Sequence, residues 1–518
     1  MSTDAAQWQL VIPMSGFGER FRAAGYTVPK PLIPVEGKPI IEHVIGMYPG
    51  IKNVLFICNQ DHLDEPRYRM REILDSICPT ARVAGIAPHK LGPVYAVSRA
   101  YDMLDENAPT IVNYCDFSCV WDWDAFRRFA AETNCDGAVM CYTGFHPHML
   151  HSTNYAYVRT ENKNKVLQIQ EKQPFTDAPM HEFASSGAYY FCNARLMREA
   201  FEETRQREDL RLKGEYYVSL AYRPLLEKGK DIRVFEIDKF RQWGTPADLG
   251  EYQCHMRYKV AEAAGFSAPR QKGTLLLPLA GMGSRFAKEN YTLPKPLIPV
   301  NGRPMVLQAW RALPRADENR FVLRRDMPGA EALVAMLRRE VPGARIILLD
   351  APTDGQARTC LLGLDGVNMN APLTIGACDN GLAYNPDGFA GLMNNAEVDF
   401  IVWTMRGYPG AARHPEMYGW VKADTNGNVT GVSVKKALSR PDADPAVTGA
   451  FTFKKASDFV HAAERMISRN HRVNGEFYVD ECINDALELG LRGAVFDVEA
   501  YLCWGTPDDL RTYEYWRS

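Results

Sequence analysis

Short apolar runs closed by turn-forming residues recur along the chain. Residues 9–12 (Gln-Leu-Val-Ile) and 274–277 (Thr-Leu-Leu-Leu) each run into a glycine-containing turn. That is the pattern of a strand buried on both faces in a parallel sheet. Residues 54–58, 110–112, 137–140 and 232–235 share this character. Between them, residues 39–45 and 123–132 read as helices, the second with acidic and aromatic residues near its start. Alternation of strand and helix predicts an α/β fold with a mostly parallel sheet covered on both faces.

The pattern occurs twice. Pro13-Met-Ser-Gly16-Phe-Gly18-Glu19-Arg20-Phe21 returns as Pro278-Leu-Ala-Gly281-Met-Gly283-Ser284-Arg285-Phe286, and Pro29-Lys30-Pro31-Leu-Ile-Pro34-Val35 returns as Pro294-Lys295-Pro296-Leu-Ile-Pro299-Val300. Both pairs share one offset of 265 residues. Cys115-Asp116 and Cys378-Asp379 follow at 263, then Trp243-Gly244-Thr245-Pro246 and Trp504-Gly505-Thr506-Pro507 at 261. Small loop deletions account for the drift, and a period this long makes each copy a whole domain rather than a solenoid unit. The expected division is residues 1–262 and 273–518, with 263–272 as linker. Each copy is expected to be Rossmann-like, a mixed, mostly parallel sheet flanked by helices.

A chain of 518 residues is too long for one compact core. Lys plus Arg number 60 against 63 for Asp plus Glu, so no net field favours nucleic acid or an anionic membrane as partner. The start lacks a basic segment followed by an apolar one, and no apolar run approaches the roughly 20 residues of a membrane span. The twelve cysteines are scattered without a Cys-x-x-Cys pair, as reduced thiols in a cytoplasmic protein without structural zinc would be.

Candidate chemistry begins in the loop after the first strand. Gly16 and Gly18 let backbone amides close on phosphate oxygens, and Arg20 offers a bidentate partner for an anion. Gly-x-Gly alone serves steric ends as often. The loop is neither a dinucleotide fingerprint, because Arg20 and Phe21 stand where a third glycine would fall, nor a P-loop, which needs Gly-Lys-Ser/Thr. Lys30 stands between two prolines that fix φ on either side and hold its ammonium in place.

Gly-x-Gly-x-Arg followed by Pro-Lys-Pro-Leu-x-Pro-Val-x-Gly-Lys-Pro resembles the sugar-nucleotidyltransferase (nucleotide-diphosphosugar pyrophosphorylase) superfamily. The resemblance runs through both copies, making them tandem nucleotidyltransferase domains. It implies transfer of a nucleoside monophosphate from a triphosphate to a sugar 1-phosphate or a related small phosphate ester, with release of pyrophosphate. Arg20 and Arg285 would stabilise the leaving pyrophosphate, Lys30 and Lys295 the α-phosphate, and Lys172 and Lys435 the acceptor phosphate. Asp116 and Asp379 would hold Mg²⁺. Gly16, Gly18 and Gly92 would line the nucleotide, as would Gly281, Gly283 and Gly355. Tyr155, Glu171 and Gly187, with Tyr418, Gly419 and Gly449 in copy two, would face the acceptor. The Trp-Gly-Thr-Pro type resembles proteins of bacterial capsule and surface-polysaccharide pathways. A homo-oligomer is compatible with all of this, and neither nucleic acid nor membrane is implied.

The copies depart from the family pattern in four places. A second metal-binding Asp before the C-terminal Gly-Thr is replaced by Gln242-Trp243 and Cys503-Trp504, leaving Glu215 or Glu476 as helpers. Glu19 stands where Ser284 stands in copy two, and a carboxylate facing a triphosphate must point away. Glu171 becomes Val434, although Lys435 keeps the Lys. The base-side segment of copy two, Asp354-Gly355-Gln356-Ala357-Arg358, points to a different base or substrate. Elsewhere, Asp122-Trp123-Asp124 reads as a helix-start carboxylate pair, His146-Pro-His148 with His151 as a polar loop, and Cys115 and Cys378 as small core residues. Two rival readings are one catalytic copy beside a regulatory nucleotide-binding copy, and a glycosyltransferase of the same fold using a finished nucleotide sugar.

Overall fold

A computed structural model describes residues 4–162 and 164–517. The chain forms two compact units, Met1–Leu249 and Gly250–Ser518. The helix Pro246–Ala263 runs across this division.

The first unit is built on a nine-stranded sheet. In chain order its strands are β1 (Gln9–Met14), β2 (Asn53–Asn59), β3 (Arg82–Ile86), β4 (Thr110–Asn113), β5 (Gly137–Tyr142), β6 (Ala156–Glu161), β7 (Lys165–Glu171), β8 (Phe183–Phe191) and β9 (Ile232–Glu236). Across the sheet the order is β3-β2-β1-β4-β8-β5-β9-β7-β6. The apolar runs are indeed parallel: β1 pairs with both β2 and β4, with Val11 opposite Leu55 and Val112. Every residue of β1 is buried. The sheet is less parallel than those runs predict, because β8 inserts antiparallel between β4 and β5 and the β6–β7 hairpin extends the far edge. Chain order then reverses direction between β1 and β4, which leaves a crevice at their carboxyl ends.

Helix starts follow local chemistry. Asp122 caps the helix Trp123–Thr133 by accepting from the Ala125 amide at 2.7 Å, and Asp124 follows in the first turn. The Asp-Trp-Asp triplet is thus a helix start. Trp123 meanwhile packs edge-on against Trp8 at 5.2 Å.

The second unit repeats the scheme. Its strands are β10 (Thr274–Pro278), β11 (Glu318–Arg324), β12 (Ala344–Leu349), β13 (Leu373–Ile375), β14 (Phe400–Met405), β15 (Gly419–Ala423), β16 (Val429–Val434), β17 (Ala446–Phe453) and β18 (Gly493–Asp497). The order β12-β11-β10-β13-β17-β14-β18 matches the first seven strands of the other sheet, and β15 pairs with β16 and β17. Among the described residues no helix is long and apolar enough to cross a membrane.

Candidate functional site

A cavity of about 470 Å³ opens at the carboxyl ends of β1 and β4. It gathers Gly16, Gly18, Arg20, Lys30, Gly92 and Asp116, six of the positions singled out in the first copy. Arg20 is exposed and makes no ion pair among the described residues. Lys30 opens a short 3-10 turn behind Pro29, and its ammonium donates to Asp116 Oδ2 at 2.6 Å and to the Gly244 carbonyl at 3.0 Å. The lysine expected on a phosphate and the aspartate expected on a metal therefore hold each other.

A small antiparallel ribbon delivers Gly244. Strand Phe117–Val120 pairs with Lys239–Gln242, and the Trp243 amide donates to the Asp116 carbonyl at 3.0 Å. Trp243 itself is fully buried. The Trp-Gly-Thr-Pro segment thus fixes the backbone that carries the aspartate.

Gly92 has its own steric reason. A Cβ there would lie 2.8 Å from the Tyr216 amide nitrogen and 2.8 Å from its carbonyl oxygen. The Tyr216 amide donates to the Leu91 carbonyl at 2.9 Å, so the Leu-Gly-Pro and Gly-Glu-Tyr-Tyr motifs, distant in sequence, cross backbone to backbone. Gly355 repeats this more tightly: its Cβ would stand 2.3 Å from the Phe477 nitrogen, at a φ of 141°.

A second pocket of about 100 Å³ is lined by Tyr155, Glu171 and Gly187, together with Asp116 and Gly244, which also line the large cavity. Lys172 follows Glu171 directly. It adopts a left-handed φ of 61°, with its amide donating to the Tyr155 carbonyl at 2.7 Å. Such a backbone is costly for a side chain bearing a Cβ and is found where surrounding structure enforces it. Its ammonium sits 4.2 Å from the Tyr217 ring centroid and donates to that hydroxyl. Burial holds the Lys172 pKa below the ordinary lysine value, Glu171 and Glu215 oppose this, and Lys213 and Arg20 add to it. Glu171 is held above the ordinary glutamate value by burial, although Ser219 donates to it at 2.6 Å and Lys172 stands near. Tyr155 is buried and donates to Gln242, so Gln242 fills the place of the missing aspartate with a neutral acceptor.

Several residues at the site carried no signal in the sequence. His89 lines the large cavity and meets the Ser15 hydroxyl at 3.0 Å. Lys90 pairs with Glu19 at 2.7 Å and lowers its pKa, so Glu19 lines the cavity but its charge is answered there. The only hint was that His89 and Lys90 directly precede the base-side segment. The His-Pro-His segment is not the polar loop it resembles: His146 and His148 are buried, and His148 Nδ1 meets Asp248 at 2.8 Å. Burial pushes the His146 pKa down to about 3. Burial also pushes the Cys115 and Cys378 thiols up to about 12, which excludes a thiolate nucleophile at neutral pH.

The second unit brings together the matching set. Lys295 donates to Asp379 Oδ2 at 2.5 Å, and the Trp504 amide donates to the Asp379 carbonyl at 2.7 Å. Burial is the largest influence and opposes the Lys295 charge, but Asp379, Cys378 and Cys503 together hold the pKa above the ordinary value. Gly283 starts the short helix that carries the exposed Arg285, and Gly281 precedes it. Lys435 has a φ of 59° and donates its amide to the Tyr418 carbonyl at 3.0 Å. Gly449 occupies the bulged stretch of β17, where a Cβ would meet that of Ala377 at 3.1 Å.

Among the described residues no group of three His, Cys, Asp or Glu side chains gathers to hold a metal ion. A single carboxylate still suits Mg²⁺, which keeps several waters and takes its other ligands from substrate phosphates. Asp116 and Asp379 fit that mode, with Glu215 lining the same cavity as Asp116.

Residues 10–231 match the family model described as nucleotidyl transferase, which places a nucleotidyl transferase domain in the first unit. Curated relatives named bifunctional protein GlmU include that of Shouchella clausii, 25% identical over 260 residues, covering 49% of this chain and 53% of the relative. That of Rhodopseudomonas palustris is 27% identical over 265 residues, covering 49% and 54%. The chain thus spans about half the length of these curated relatives. Among solved structures, a nucleoside-diphosphate-sugar pyrophosphorylase from Vibrio cholerae is similar at 20% identity and a TM-score of 0.39, covering 47% of this chain and all of that one.

Proposed function

We propose that the protein moves a nucleoside monophosphate from a nucleoside triphosphate to a sugar 1-phosphate or a related small phosphate ester, releasing pyrophosphate. The observation that carries this reading is the Lys30–Asp116 pair set beside the unpaired Arg20 in one cavity; the pair itself recurs in the second unit as Lys295–Asp379. The nucleotidyl transferase match over residues 10–231 supports the transfer class. Each unit holds its own site in this reading, and the two are tandem nucleotidyltransferase domains.

The chemistry follows from the charges. An oxygen of the acceptor phosphate attacks the α-phosphorus in line, forming a P–O bond while the bond to the β-phosphate bridging oxygen breaks. Pyrophosphate carries the electron pair away. The acceptor is already an anion, so no general base is required, and positioning with charge neutralisation does the work. Lys30 leaves Asp116 for the α-phosphate, Arg20 takes the departing pyrophosphate, and Lys172 takes the acceptor phosphate. Mg²⁺ held by Asp116 would supply neutralisation of the triphosphate. Tyr155, Glu171 and Gly187 shape the acceptor pocket. The product is an activated precursor for surface polysaccharide, made in the cytoplasm where nucleoside triphosphates are available.

Pyrophosphate release from each nucleoside triphosphate, paired with a panel of sugar 1-phosphates and phosphocholine, tests this. The expected result is release with at least one pair, lost in a Lys30→Ala/Lys295→Ala double variant. No release with any pair, or release that survives the double variant, sinks the reading.

A further inference from the structure

The two lysines at the proposed acceptor end, Lys172 and Lys435, share a left-handed backbone and an N–H that donates a hydrogen bond to a tyrosine carbonyl, of Tyr155 and Tyr418 respectively. Their carboxylate neighbours do not correspond. In the first unit Glu171 ends β7, and its Oε2 accepts from Ser219 at 2.6 Å. In the second unit the end of β16 is Val434, which leaves Lys435 without that carboxylate.

The loss is answered from another element. Aligned on Gly214-Glu215-Tyr216-Tyr217 and Gly475-Glu476-Phe477-Tyr478, the counterpart of Ser219 is Asp480. Asp480 lies in the first turn of the helix Val479–Glu488. Its Oδ2 occupies space beside Gly419 so closely that a Cβ there would stand 2.2 Å away. The first unit has Ala156 at the position of Gly419, a residue with that Cβ, and the smaller Ser219 below it. Three positions therefore change together: Glu171, Ser219 and Ala156 become Val434, Asp480 and Gly419.

No side chain among the described residues donates to Asp480. Burial raises its pKa to about 6, and Lys435 is the leading charge that opposes this. Asp480 in turn is the leading charge that raises Lys435, as Glu171 is for Lys172. Lys435 also lies 5.5 Å from the Tyr478 ring, as Lys172 lies over Tyr217. Arg285 acts on Lys435 as Arg20 acts on Lys172, so the ammonium faces the same cationic neighbour in both units.

We infer that Asp480 is the acceptor-binding carboxylate of the second unit, taking the part of Glu171 from a helix instead of a strand. Lys435 holds the phosphate of a small phosphate ester, and Asp480 accepts a hydrogen bond from a hydroxyl of the same molecule. Gly419 is then the space cleared for that carboxylate. The approach from a different element gives the second site an acceptor pocket of different shape, and so a different preference among phosphate esters. The inference rests on the nucleotidyl transfer reading for the class of acceptor.

The test is differential protection of lysines in the full chain. Pyridoxal 5′-phosphate, trapped by borohydride and mapped by peptide mass spectrometry, reports Lys172 and Lys435 separately. Competitors are inorganic phosphate, glucose 1-phosphate, mannose 1-phosphate and glycerol 3-phosphate. At Lys435 at least one hydroxylated ester should protect about tenfold better than inorganic phosphate, the ratio expected for one hydrogen bond to a charged group. Asp480→Ser should remove that preference at Lys435 while leaving every result at Lys172 unchanged. Val434→Glu/Asp480→Ser should restore it, and Asp480→Asn, close in shape, guards against a folding artefact. The inference is overturned if the preference survives Asp480→Ser, if all four competitors protect Lys435 equally, or if Lys435 is unreactive while Lys172 is labelled. Failure of the underlying reading looks different: no nucleoside triphosphate with Mg²⁺ would then alter labelling at either lysine.

Discussion

The two units agree at the lysine–aspartate pair proposed to meet the triphosphate and differ where the acceptor would sit. Lys30–Asp116 and Lys295–Asp379 are matching pairs, 2.6 and 2.5 Å long, each anchored by a tryptophan amide on the aspartate carbonyl. At the acceptor end, a strand carboxylate in one unit is a helix carboxylate in the other. What is kept is a distribution of charge around a strained lysine, and the residue that supplies it can change. A position-by-position comparison counts Val434 as a loss, whereas the inferred role of Asp480 makes it a relocation.

The largest effects belong to the shared part. Lys30→Ala and Lys295→Ala should each lower turnover of their own unit by about 10²–10³-fold, the scale for one lost donor to developing charge. Steady-state rates with the other unit silenced by its arginine variant, Arg285→Ala or Arg20→Ala, would show it. Equal loss from both single variants in the same reaction would mean that one unit serves the other, and the comparison of two independent sites breaks.

Next come the glycines of the motif crossing. Gly355→Ala places a Cβ 2.3 Å from backbone nitrogen and Gly92→Ala places one 2.8 Å away. Costs of about 3 and about 2 kcal/mol in urea unfolding are expected, each confined to its own unit. A reversed order would show that one crossing yields more readily than its geometry indicates.

Asp480 gives a pH signature that Ser219 cannot. Its folded pKa of about 6 lies above the ordinary 3.8, so the stability linked to its proton is complete below pH 4 and is lost as pH rises through 6. Asp480→Asn should therefore match the wild type in acid. Above pH 7 it should exceed the wild type by on the order of 2 to 3 kcal/mol. Unfolding of the second unit followed from pH 4 to 8 reads this directly, and parallel curves would remove the buried carboxylate from the account.

The smallest effect is at the mouth of the first cavity. Lys90→Ala frees Glu19 to repel a triphosphate, raising the KM for nucleotide in the first unit only, with thermal stability unchanged. The effect should fade as salt is added.

Much of this was legible in the sequence. The six apolar runs are strands, and Asp122 starts its helix as its spacing indicates. The residues chosen in the first copy line two adjoining cavities or, for Lys172, stand over Tyr217. The sequence was silent on relations that need two distant segments at once. β8 turns antiparallel because it returns between β4 and β5, which no run of apolar residues reports. Lys30 and Asp116 are 86 positions apart, so their pairing could not be read from either motif. From the sequence Gly419 reads only as a residue facing the acceptor, yet the folded unit gives it a second reason, the carboxylate 61 positions later. The buried His146 and His148 read as a polar loop in the sequence, and the packing of Phe240 and Asp248 against them corrects it.

The central claim is that each unit holds its own nucleotide site built on the lysine–aspartate pair. Thermal unfolding with each nucleoside triphosphate and Mg²⁺, on the wild type, Lys30→Ala and Lys295→Ala, tests it most directly. A triphosphate at about 100 times its dissociation constant should stabilise the unit that binds it by about 2.7 kcal/mol. The account predicts that each substitution removes the response of one unit and spares the other. Stabilisation that survives both substitutions, or no response to any triphosphate in the wild type, would contradict it.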